Sequence, residues 1–336
     1  MTLHPQTVEQ FLKSCGTVPP GGLGPFTSLL SHIGIIGKSL ARDLRVAGLI
    51  DVLGTTGQTN VQGETVKKLD EIANEIFVRV LRQSGVVRAL VSEEMEKPVV
   101  LSAAGEGSPY LVLFDPLDGS SNTDVNMPLG SIFSVVLPGN GEGRVADADL
   151  MRRGVDQVAA GYLLFGSSTM LVVAAGNGVH GFTLDPWLGE YLLTHQNIKI
   201  PSKGTVYGAN EGNYNKWPPG MRKYFDQLKL VDKAKRRPYS GRYSGCLVAD
   251  VHRILLVGGI YLYPGETEKP EGKLRLLYEA NPLALIVEQA GGAASTGTNR
   301  ILDIEPVALH QRVPLIIGSR GDVQEAEQCL QGKSSA

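Results

Sequence analysis

Two acidic residues stand where an apolar segment ends and a turn begins. Asp115 and Asp118 follow the strand-like residues 110–114, within the string DPLDGSSN. Two carboxylates three residues apart in a turn can share one hard cation, and the Leu117 carbonyl between them offers a third oxygen. Oxygen donors of this kind select Mg²⁺, Mn²⁺ or Ca²⁺ over softer metals.

Gly119 and Ser120 come next in the chain and offer backbone amides and a hydroxyl, which suit a phosphate group. A bare D-x-x-D-G-S string is more often an Asx turn that caps a helix. The longer string after a strand is far more specific and favours a ligand site.

A second pair of carboxylates, Glu93 and Glu94, ends the strand-like segment 88–92. Paired glutamates mostly lie on solvated helix faces. If the two strand ends are neighbours, however, four carboxylates converge and repel one another unless cations offset their charge. The pattern therefore predicts two or more metal ions.

Two further acidic residues are candidates with simpler alternatives. Asp70, in the string KKLD, could accept a proton or support a metal ligand, or it could form a surface salt bridge with Lys67. Glu279 lies between an apolar segment and a helix that starts with proline, where a negative charge also stabilises the helix end.

Hard oxygen ligands beside phosphate-binding amides suit metal-assisted hydrolysis of a phosphate ester. The sequence contains no P-loop, dinucleotide-binding G-x-G-x-x-G, H-E-x-x-H or G-x-S-x-G motif. No other catalytic motif competes with the carboxylates.

Helices and strands must position these residues. Apolar residues recur at helical spacing over 26–44 and 66–81, which predicts two long helices. Short apolar segments from about 88 to 194 predict a large, mostly antiparallel or mixed sheet. Strand-like and helix-like segments alternate after that, so we predict an N-terminal domain at 1–198 and a C-terminal domain at 199–336.

The composition is that of a globular protein. The chain has 336 residues, 42% of them hydrophobic and 20% charged, which favours two moderate domains. With 34 acidic against 32 basic residues, no net field would hold it on nucleic acid or an anionic membrane. No apolar run reaches the roughly 18 residues of a membrane span, and three scattered cysteines predict a reducing intracellular compartment.

The motifs together resemble the class I fructose-1,6-bisphosphatases, within the lithium-sensitive, inositol-monophosphatase-like superfamily. The DPLDGSSN string marks the superfamily. The class is marked by KKLD at 67–70, SEE at 92–94, NEGNY at 210–214, RY at 242–243, ADVHR at 249–253, GIYLYP at 259–264 and KLRLLYE at 273–279. The resemblance covers nearly the whole chain. It implies an α/β (α+β) fold, a layered α-β-α-β-α sugar-phosphatase sandwich of two domains, normally in a homotetramer.

The resemblance also implies the reaction and its metal site. The enzyme would hydrolyse the 1-phosphate of D-fructose 1,6-bisphosphate with two or more Mg²⁺ ions per subunit, or Mn²⁺, in gluconeogenesis, the Calvin cycle or sucrose or starch synthesis. The metal shell would comprise Glu93, Glu94, Asp115, Asp118, Glu279 and the Leu117 carbonyl. Glu94 and Asp70 would handle the proton of the attacking water.

Substrate contacts follow from the same resemblance. The 1-phosphate would contact Gly119, Ser120 and Arg275. The 6-phosphate and the sugar would contact Asn210, Tyr214, Tyr243, Tyr263 and Lys273, with Arg242 supplied by a neighbouring subunit. Hydroxyls, an ammonium and a guanidinium suit a dianion that is held without being cleaved.

Three positions of the family's AMP site are changed. Leu23, Pro109 and Leu137 stand where threonine, lysine and arginine are expected. Two lost cations, each worth about 1.5–3 kcal/mol in a charge-assisted hydrogen bond, predict weak or absent AMP inhibition. The segment 139–156 lacks the cysteines of a redox switch.

These two changes predict a redox-insensitive plastid isoform in the chloroplast stroma, its transit peptide absent from this chain. A bacterial or cytosolic enzyme is the alternative.

Two alternatives for the function stay open. Sedoheptulose-1,7-bisphosphatase shares the metal motif, although residues 210–214 and 251–253 resemble the fructose enzyme. A non-catalytic sensor could bind a sugar phosphate, but binding alone would not need so many carboxylates around an anion.

Overall fold

The computed structural model describes residues 5–16, 19–50, 52–59, 65–101, 108–139, 145–176 and 178–333. Helices form where apolar residues recur every three or four positions, because one face of each can then be buried. Their bounds are Val8–Ser14 (α1), Leu23–Arg45 (α2), Lys68–Gln83 (α3), Asp147–Leu150 (α4), Pro219–Lys229 (α5), Leu247–Val257 (α6), Asn281–Gln289 (α7) and Arg320–Leu330 (α8). None of these described helices has the length and apolarity needed to cross a membrane.

Strands form in segments rich in β-branched and aromatic residues. Their bounds are Thr55–Thr59 (β1), Thr65–Lys67 (β2), Val87–Ser92 (β3), Val99–Val100 (β4), Tyr110–Asp118 (β5), Leu129–Val136 (β6), Gln157–Phe165 (β7), Thr169–Ala174 (β8), Val179–Asp185 (β9), Glu190–His195 (β10), Val206–Ala209 (β11), Ser240–Gly241 (β12), Ile260–Tyr263 (β13), Leu274–Arg275 (β14), Ala293–Ser295 (β15), Arg312–Val313 (β16) and Leu315–Gly318 (β17).

The larger sheet has eight strands in the order β10-β9-β8-β7-β6-β5-β3-β4. β3 and β5 run parallel, with Leu90 opposite Val112, whereas the other pairs are antiparallel. Side chains alternate between the two faces: Val112 and Phe114 pack with α2 and α3, while Leu111 belongs to a cluster on the other face. Phe77 of α3 stacks on Phe114 with ring centroids 4.5 Å apart.

The smaller sheet has five strands in the order β12-β11-β13-β17-β15. Helices α5 and α8 cover one face of it, where Phe225 and Val323 join the same buried cluster as Ile260 and Ile316. Helices α6 and α7 lie between the two sheets, because their apolar side chains share one cluster with residues of both. Two-stranded sheets pair β1 with β2 and β14 with β16.

The layers therefore run α2 and α3, large sheet, α6 and α7, small sheet, α5 and α8. This confirms the predicted α/β fold and its α-β-α-β-α sandwich. The large sheet lies wholly within 1–198 and the small sheet within 199–336. The boundary between two domains at 198/199 stays a prediction.

Candidate active site

A cleft of about 630 Å³ lies between the ends of the large-sheet strands and the C-terminal half of the chain. Most of the side chains predicted to act on a substrate line it. They are Asp70, Glu93, Glu94, Asp115, Leu117, Asp118, Gly119, Ser120, Asn210, Tyr243, Tyr263, Lys273, Arg275 and Glu279.

The parallel pairing of β3 and β5 brings the two acidic pairs to one edge. The backbone amide of Glu93 donates to the Phe114 carbonyl at 3.1 Å, which extends the ladder beyond the last paired residues. The amide of Glu94 donates to the Ser92 hydroxyl at 3.2 Å and turns the chain away. Parallel strands end at the same edge of a sheet, so both acidic pairs reach the same cleft.

Asp115 is the most perturbed carboxylate of the cleft. It is 3% exposed, and its Oδ1 accepts a hydrogen bond from the Leu117 amide at 3.0 Å. Burial raises the pKa of Asp115 well above its usual range, and the charges of Glu93, Asp118, Glu279 and Glu94 raise it further. This mutual repulsion is the field that a bound cation would relieve.

Asp118 is held by the first turn of α6. Its Oδ1 accepts from the Leu247 amide at 3.2 Å, and its Oδ2 accepts from the Val248 amide at 2.7 Å and from the Cys246 thiol at 2.9 Å. Burial raises the pKa of Asp118, and these three hydrogen bonds lower it. A carboxylate is favoured at a helix N-terminus, so this contact joins β5 to α6.

Glu279 and Arg275 also line the cleft. Glu279 is 5% exposed and accepts a short hydrogen bond from the Arg275 amide. The guanidinium of Arg275 lies 3.3 Å from Glu93 and also donates to the Lys273 carbonyl at 3.0 Å. Arg275 thus offsets part of the acidic charge and remains beside the phosphate-binding turn.

Asp70 lies in the first turn of α3. Its Oδ2 accepts a hydrogen bond from the Lys67 amide at 3.0 Å. Burial raises the pKa of Asp70 to about 7, with a further contribution from the charge of Glu94, while the Lys67 amide and the Ser120 hydroxyl lower it. The Lys67 ammonium itself pairs with Asp124 at 2.5 Å, so the salt bridge weighed against a function for Asp70 is not formed.

The turn after Asp118 brings backbone amides into the cleft. Gly119 has φ 78°, and a Cβ there would lie 2.8 Å from Cβ of Cys246. Asn122 secures the turn by donating to the carbonyls of Pro128 and Ser244, both at 3.0 Å. Only glycine allows this approach of the turn to α6.

The polar side chains of the C-terminal half line the other end of the cleft. Tyr243 is 41% exposed, and burial of part of its ring, together with the neighbouring Tyr263 and Asp250, raises its hydroxyl pKa to about 12. The hydroxyl therefore remains a hydrogen-bond donor at neutral pH. Lys273 adds the positive charge of an exposed ammonium.

Two predicted substrate contacts lie outside the cleft. The Tyr214 hydroxyl donates to Asp226 at 2.7 Å, and its ring packs 6.0 Å from those of Trp217 and Phe225, which turns it away from the cavity. Arg242 is exposed and donates to the Gly241 carbonyl at 2.7 Å. Its predicted action in a neighbouring subunit stays a prediction.

The donor set fits hard divalent cations. Carboxylate oxygens and the Leu117 carbonyl are the ligands that Mg²⁺ and Mn²⁺ prefer. Within the described residues, however, no three acidic, histidine or cysteine side chains already form a closed cage. The acidic side chains face one cleft and repel one another, so a bound cation would draw them together.

The part that α6 plays in the cleft could not be predicted from the sequence. The amides of Leu247 and Val248 and the thiol of Cys246 all bind Asp118, 128 to 130 residues away in the chain. Cys246 is the N-cap of α6, but cysteine is not among the residues that usually mark an N-cap in a sequence. No spacing rule connects it with Asp118.

The five-layer sandwich and a cleft that combines carboxylates with hydroxyl, ammonium and guanidinium groups are the fold and site of a sugar-phosphatase class of protein. Residues 6–196 match the family described as "Fructose-1-6-bisphosphatase, N-terminal domain", and residues 200–331 match "Fructose-1-6-bisphosphatase, C-terminal domain". The chain belongs to the fructose-1,6-bisphosphatase family. This confirms the family predicted from the sequence.

Relatives and solved structures agree with that assignment. A class 1 fructose-1,6-bisphosphatase of Chloroherpeton thalassium is 50% identical over 97% of this chain and 93% of its own length. One from Synechococcus sp. strain JA-2-3B'a(2-13) is 54% identical over 91% of each chain. The holo form of Leishmania major fructose-1,6-bisphosphatase superposes with a TM-score of 0.90 at 44% identity, covering 98% of this chain and 99% of that one.

The predicted chloroplast location is wrong. The two sequence relatives described above come from a green sulfur bacterium and a cyanobacterium, which have no chloroplast, so they contradict the predicted plastid isoform. The prediction failed because it inferred a compartment from missing regulatory side chains. The loss of a cation from a regulatory site says nothing about where a protein resides.

Proposed function

We propose that the chain hydrolyses the 1-phosphate of D-fructose 1,6-bisphosphate to fructose 6-phosphate and phosphate. The observation that carries the proposal is that the carboxylates, the Gly119–Ser120 turn and the cationic side chains of Lys273 and Arg275 all line one cleft of about 630 Å³. The family assignment makes the chain a phosphoric monoester hydrolase of carbohydrate metabolism. Members of this family generally depend on divalent metal ions.

Mg²⁺ is the cation that we propose for the acidic end, held by Glu93, Glu94, Asp115, Asp118, Glu279 and the Leu117 carbonyl. A divalent cation supplies charge neutralisation of phosphoryl oxygens and activation of water. We propose two or more such ions per subunit, with Mn²⁺ as the alternative to Mg²⁺.

The proton of the attacking water is assigned to Asp70, with Glu94 beside it. A general base works best when its pKa is near the operating pH, and that of Asp70 is about 7. The Lys67 amide fixes the orientation of the Asp70 carboxylate. The Ser120 hydroxyl lowers the pKa of the same carboxylate, so the proposed proton acceptor and the turn proposed for the 1-phosphate influence each other.

Phosphate positioning is divided between the two ends of the cleft. The amide and hydroxyl of Ser120, with Gly119 and Arg275, would hold the 1-phosphate next to the acidic groups. Asn210, Tyr243, Tyr263 and Lys273 would hold the 6-phosphate and the sugar. Tyr214 stays in the proposal as a contact of the 6-phosphate and the sugar, and Arg242 as a contact supplied by a neighbouring chain of a homotetramer.

Weak sensitivity to AMP has further support. The Tyr110 hydroxyl donates to the Pro20 carbonyl at 2.9 Å and is fully buried beside Gly21. The hydroxyl of this retained tyrosine is therefore already hydrogen-bonded to the loop before α2.

The proposal also includes the absence of redox switching, because the segment 139–156 contains no cysteine. Residues 140–144 of the segment without cysteine lie outside the described residues.

Steady-state phosphate release from fructose 1,6-bisphosphate and sedoheptulose 1,7-bisphosphate, measured in parallel, tests the proposal. We expect the fructose substrate to have the higher kcat/KM, with neither AMP nor a dithiol reductant changing it by more than about twofold. A higher kcat/KM for the seven-carbon sugar would contradict the proposed substrate. Tight binding of both sugars without phosphate release would make the chain a sensor.

A further inference from the structure

Cys246 is a buried thiol in contact with a carboxylate of the cleft. It is 0% exposed, and its Sγ lies 2.9 Å from Oδ2 of Asp118. The same sulfur accepts a hydrogen bond from the Ala249 amide at 3.4 Å, as the N-cap of α6. The sulfur therefore accepts a hydrogen bond from the helix backbone and donates its S–H proton to Asp118.

The two oxygens of Asp118 are not equally engaged. A carboxylate oxygen has two lone pairs. Oδ2 accepts two hydrogen bonds, from the Val248 amide at 2.7 Å and from the Cys246 thiol at 2.9 Å. Among the described residues, Oδ1 accepts a single hydrogen bond, which the Leu247 amide donates at 3.2 Å. Oδ1 is consequently the oxygen that retains a lone pair.

The position of the thiol is fixed by its surroundings. Gly119 approaches so closely that a Cβ on it would lie 3.0 Å from Cα and 3.4 Å from Sγ of Cys246. On the other side, the thiol is tied to the first turn of α6. Cys246 cannot withdraw from Asp118 without moving either the phosphate-binding turn or the helix.

We propose that Cys246 is a positioning residue that restricts Asp118 to ligation through Oδ1 alone, and thereby favours Mg²⁺ over Ca²⁺. The inference rests on the proposed role of Asp118 as a metal ligand. Ca²⁺ accepts both oxygens of one carboxylate in a flexible shell, whereas Mg²⁺ demands near-octahedral geometry at about 2.0–2.1 Å. Blocking Oδ2 removes the two-oxygen mode and so penalises the larger ion.

The test compares the affinities of Mg²⁺ and Ca²⁺ for metal-depleted protein, by isothermal titration calorimetry without substrate. Cys246→Ala removes the S–H donor, and Cys246→Ser keeps a donor and a cap of similar size. We expect the alanine variant to raise the Ca²⁺-to-Mg²⁺ affinity ratio about tenfold, the lower end of the range for partners of metal ligands. The serine variant should stay within about twofold of the unmodified chain.

Cys329→Ala is the matched control, because Cys329 is also buried but contacts Gln227 far from the cleft. Circular dichroism checks folding, and Cys246→Gly replaces an alanine variant that does not fold, since glycine is accepted at an N-cap. An unchanged ratio after loss of the thiol, or an equal rise in the control, would overturn the inference. Failure of the unmodified protein to bind either ion would instead overturn the proposed metal site.

Discussion

Asp70 is the side chain on which the proposed chemistry depends most at the scale of single residues. Burial raises its pKa to about 7, so it can accept a proton near neutrality without being fully protonated there. Asp70 lies in the first turn of α3. It forms no salt bridge with Lys67, because the Lys67 ammonium pairs with Asp124 instead.

Replacing Asp70 with asparagine should lower kcat by roughly 10²- to 10⁴-fold, the usual contribution of general acid–base catalysis. KM should change little, because the amide keeps the size of the carboxylate. Glu71→Gln, on the exposed side of the same helix turn, is the matched control. Steady-state kinetics measure both, and an Asp70→Asn variant with at least half of the original kcat would refute the assignment.

Lys273 tests the other end of the cleft. Lys273→Ala should raise KM for fructose 1,6-bisphosphate about 10- to 100-fold, since a hydrogen bond to a charged group contributes about 1.5–3 kcal/mol. The kcat should stay nearly constant because the 6-phosphate is not cleaved. Lys269→Ala provides an exposed control four residues away. A loss confined to kcat would show that Lys273 acts on the reacting phosphate.

Residue types and local spacing predicted the acidic ligands but not their partners. Asp115 and Asp118 were recognisable because a buried strand ends at them, which is a local property. The pairing of Lys67 with Asp124 and of Cys246 with Asp118 joins residues 57 and 128 positions apart. Such contacts depend on tertiary packing, so spacing along the chain could not reveal them.

At the scale of secondary-structure elements, the contact between β6 and the first turn of α6 holds the two halves of the cleft together. Gly130 of β6 lies against Val248, whose amide binds Asp118. The sequence predicted a sheet from the apolar segments between about 88 and 194, and alternating strand-like and helix-like segments after them. It could not predict that α6 would lie between two sheets, because the order of layers depends on which apolar faces meet.

Gly130→Ala should displace α6 and destabilise the protein. An added Cβ would lie 2.4 Å from Cβ of Val248, and overpacking of this kind costs typically about 1–3 kcal/mol. Urea unfolding measures the change, and kcat should fall as the Val248 amide moves away from Asp118. Gly166→Ala is the control, because its nearest neighbour is 3.8 Å from the added Cβ. Equal stability of the two variants would contradict the proposed coupling.

For the whole molecule, the concentration of acidic groups in one cleft makes stability depend on pH and on cations. The pKa of Asp70 rises from 3.8 to about 7 on folding, and those of Asp115 and Asp118 also rise. The folded state therefore binds more protons than the unfolded state between about pH 4 and 7, and stability falls as pH increases through that range.

Metal-depleted protein should accordingly melt at a higher temperature at pH 5 than at pH 8. Mg²⁺ should raise the melting temperature more at pH 8, where the carboxylates are ionised, by binding only the folded state. Differential scanning calorimetry with chelator or with Mg²⁺ measures both effects, and Asp115→Asn should reduce the pH dependence. A metal-depleted protein that is most stable at pH 8 would count against the acidic cleft.

The decisive measurement for metal-assisted hydrolysis is the dependence of phosphate release on a divalent cation. Fructose 1,6-bisphosphate is supplied to metal-depleted protein, and phosphate is measured before and after Mg²⁺ is added in excess over the chelator. We expect no release before the addition and one phosphate per substrate molecule after it. Release that proceeds equally well in chelator, or that never begins with Mg²⁺, would refute the proposed role of the acidic cleft.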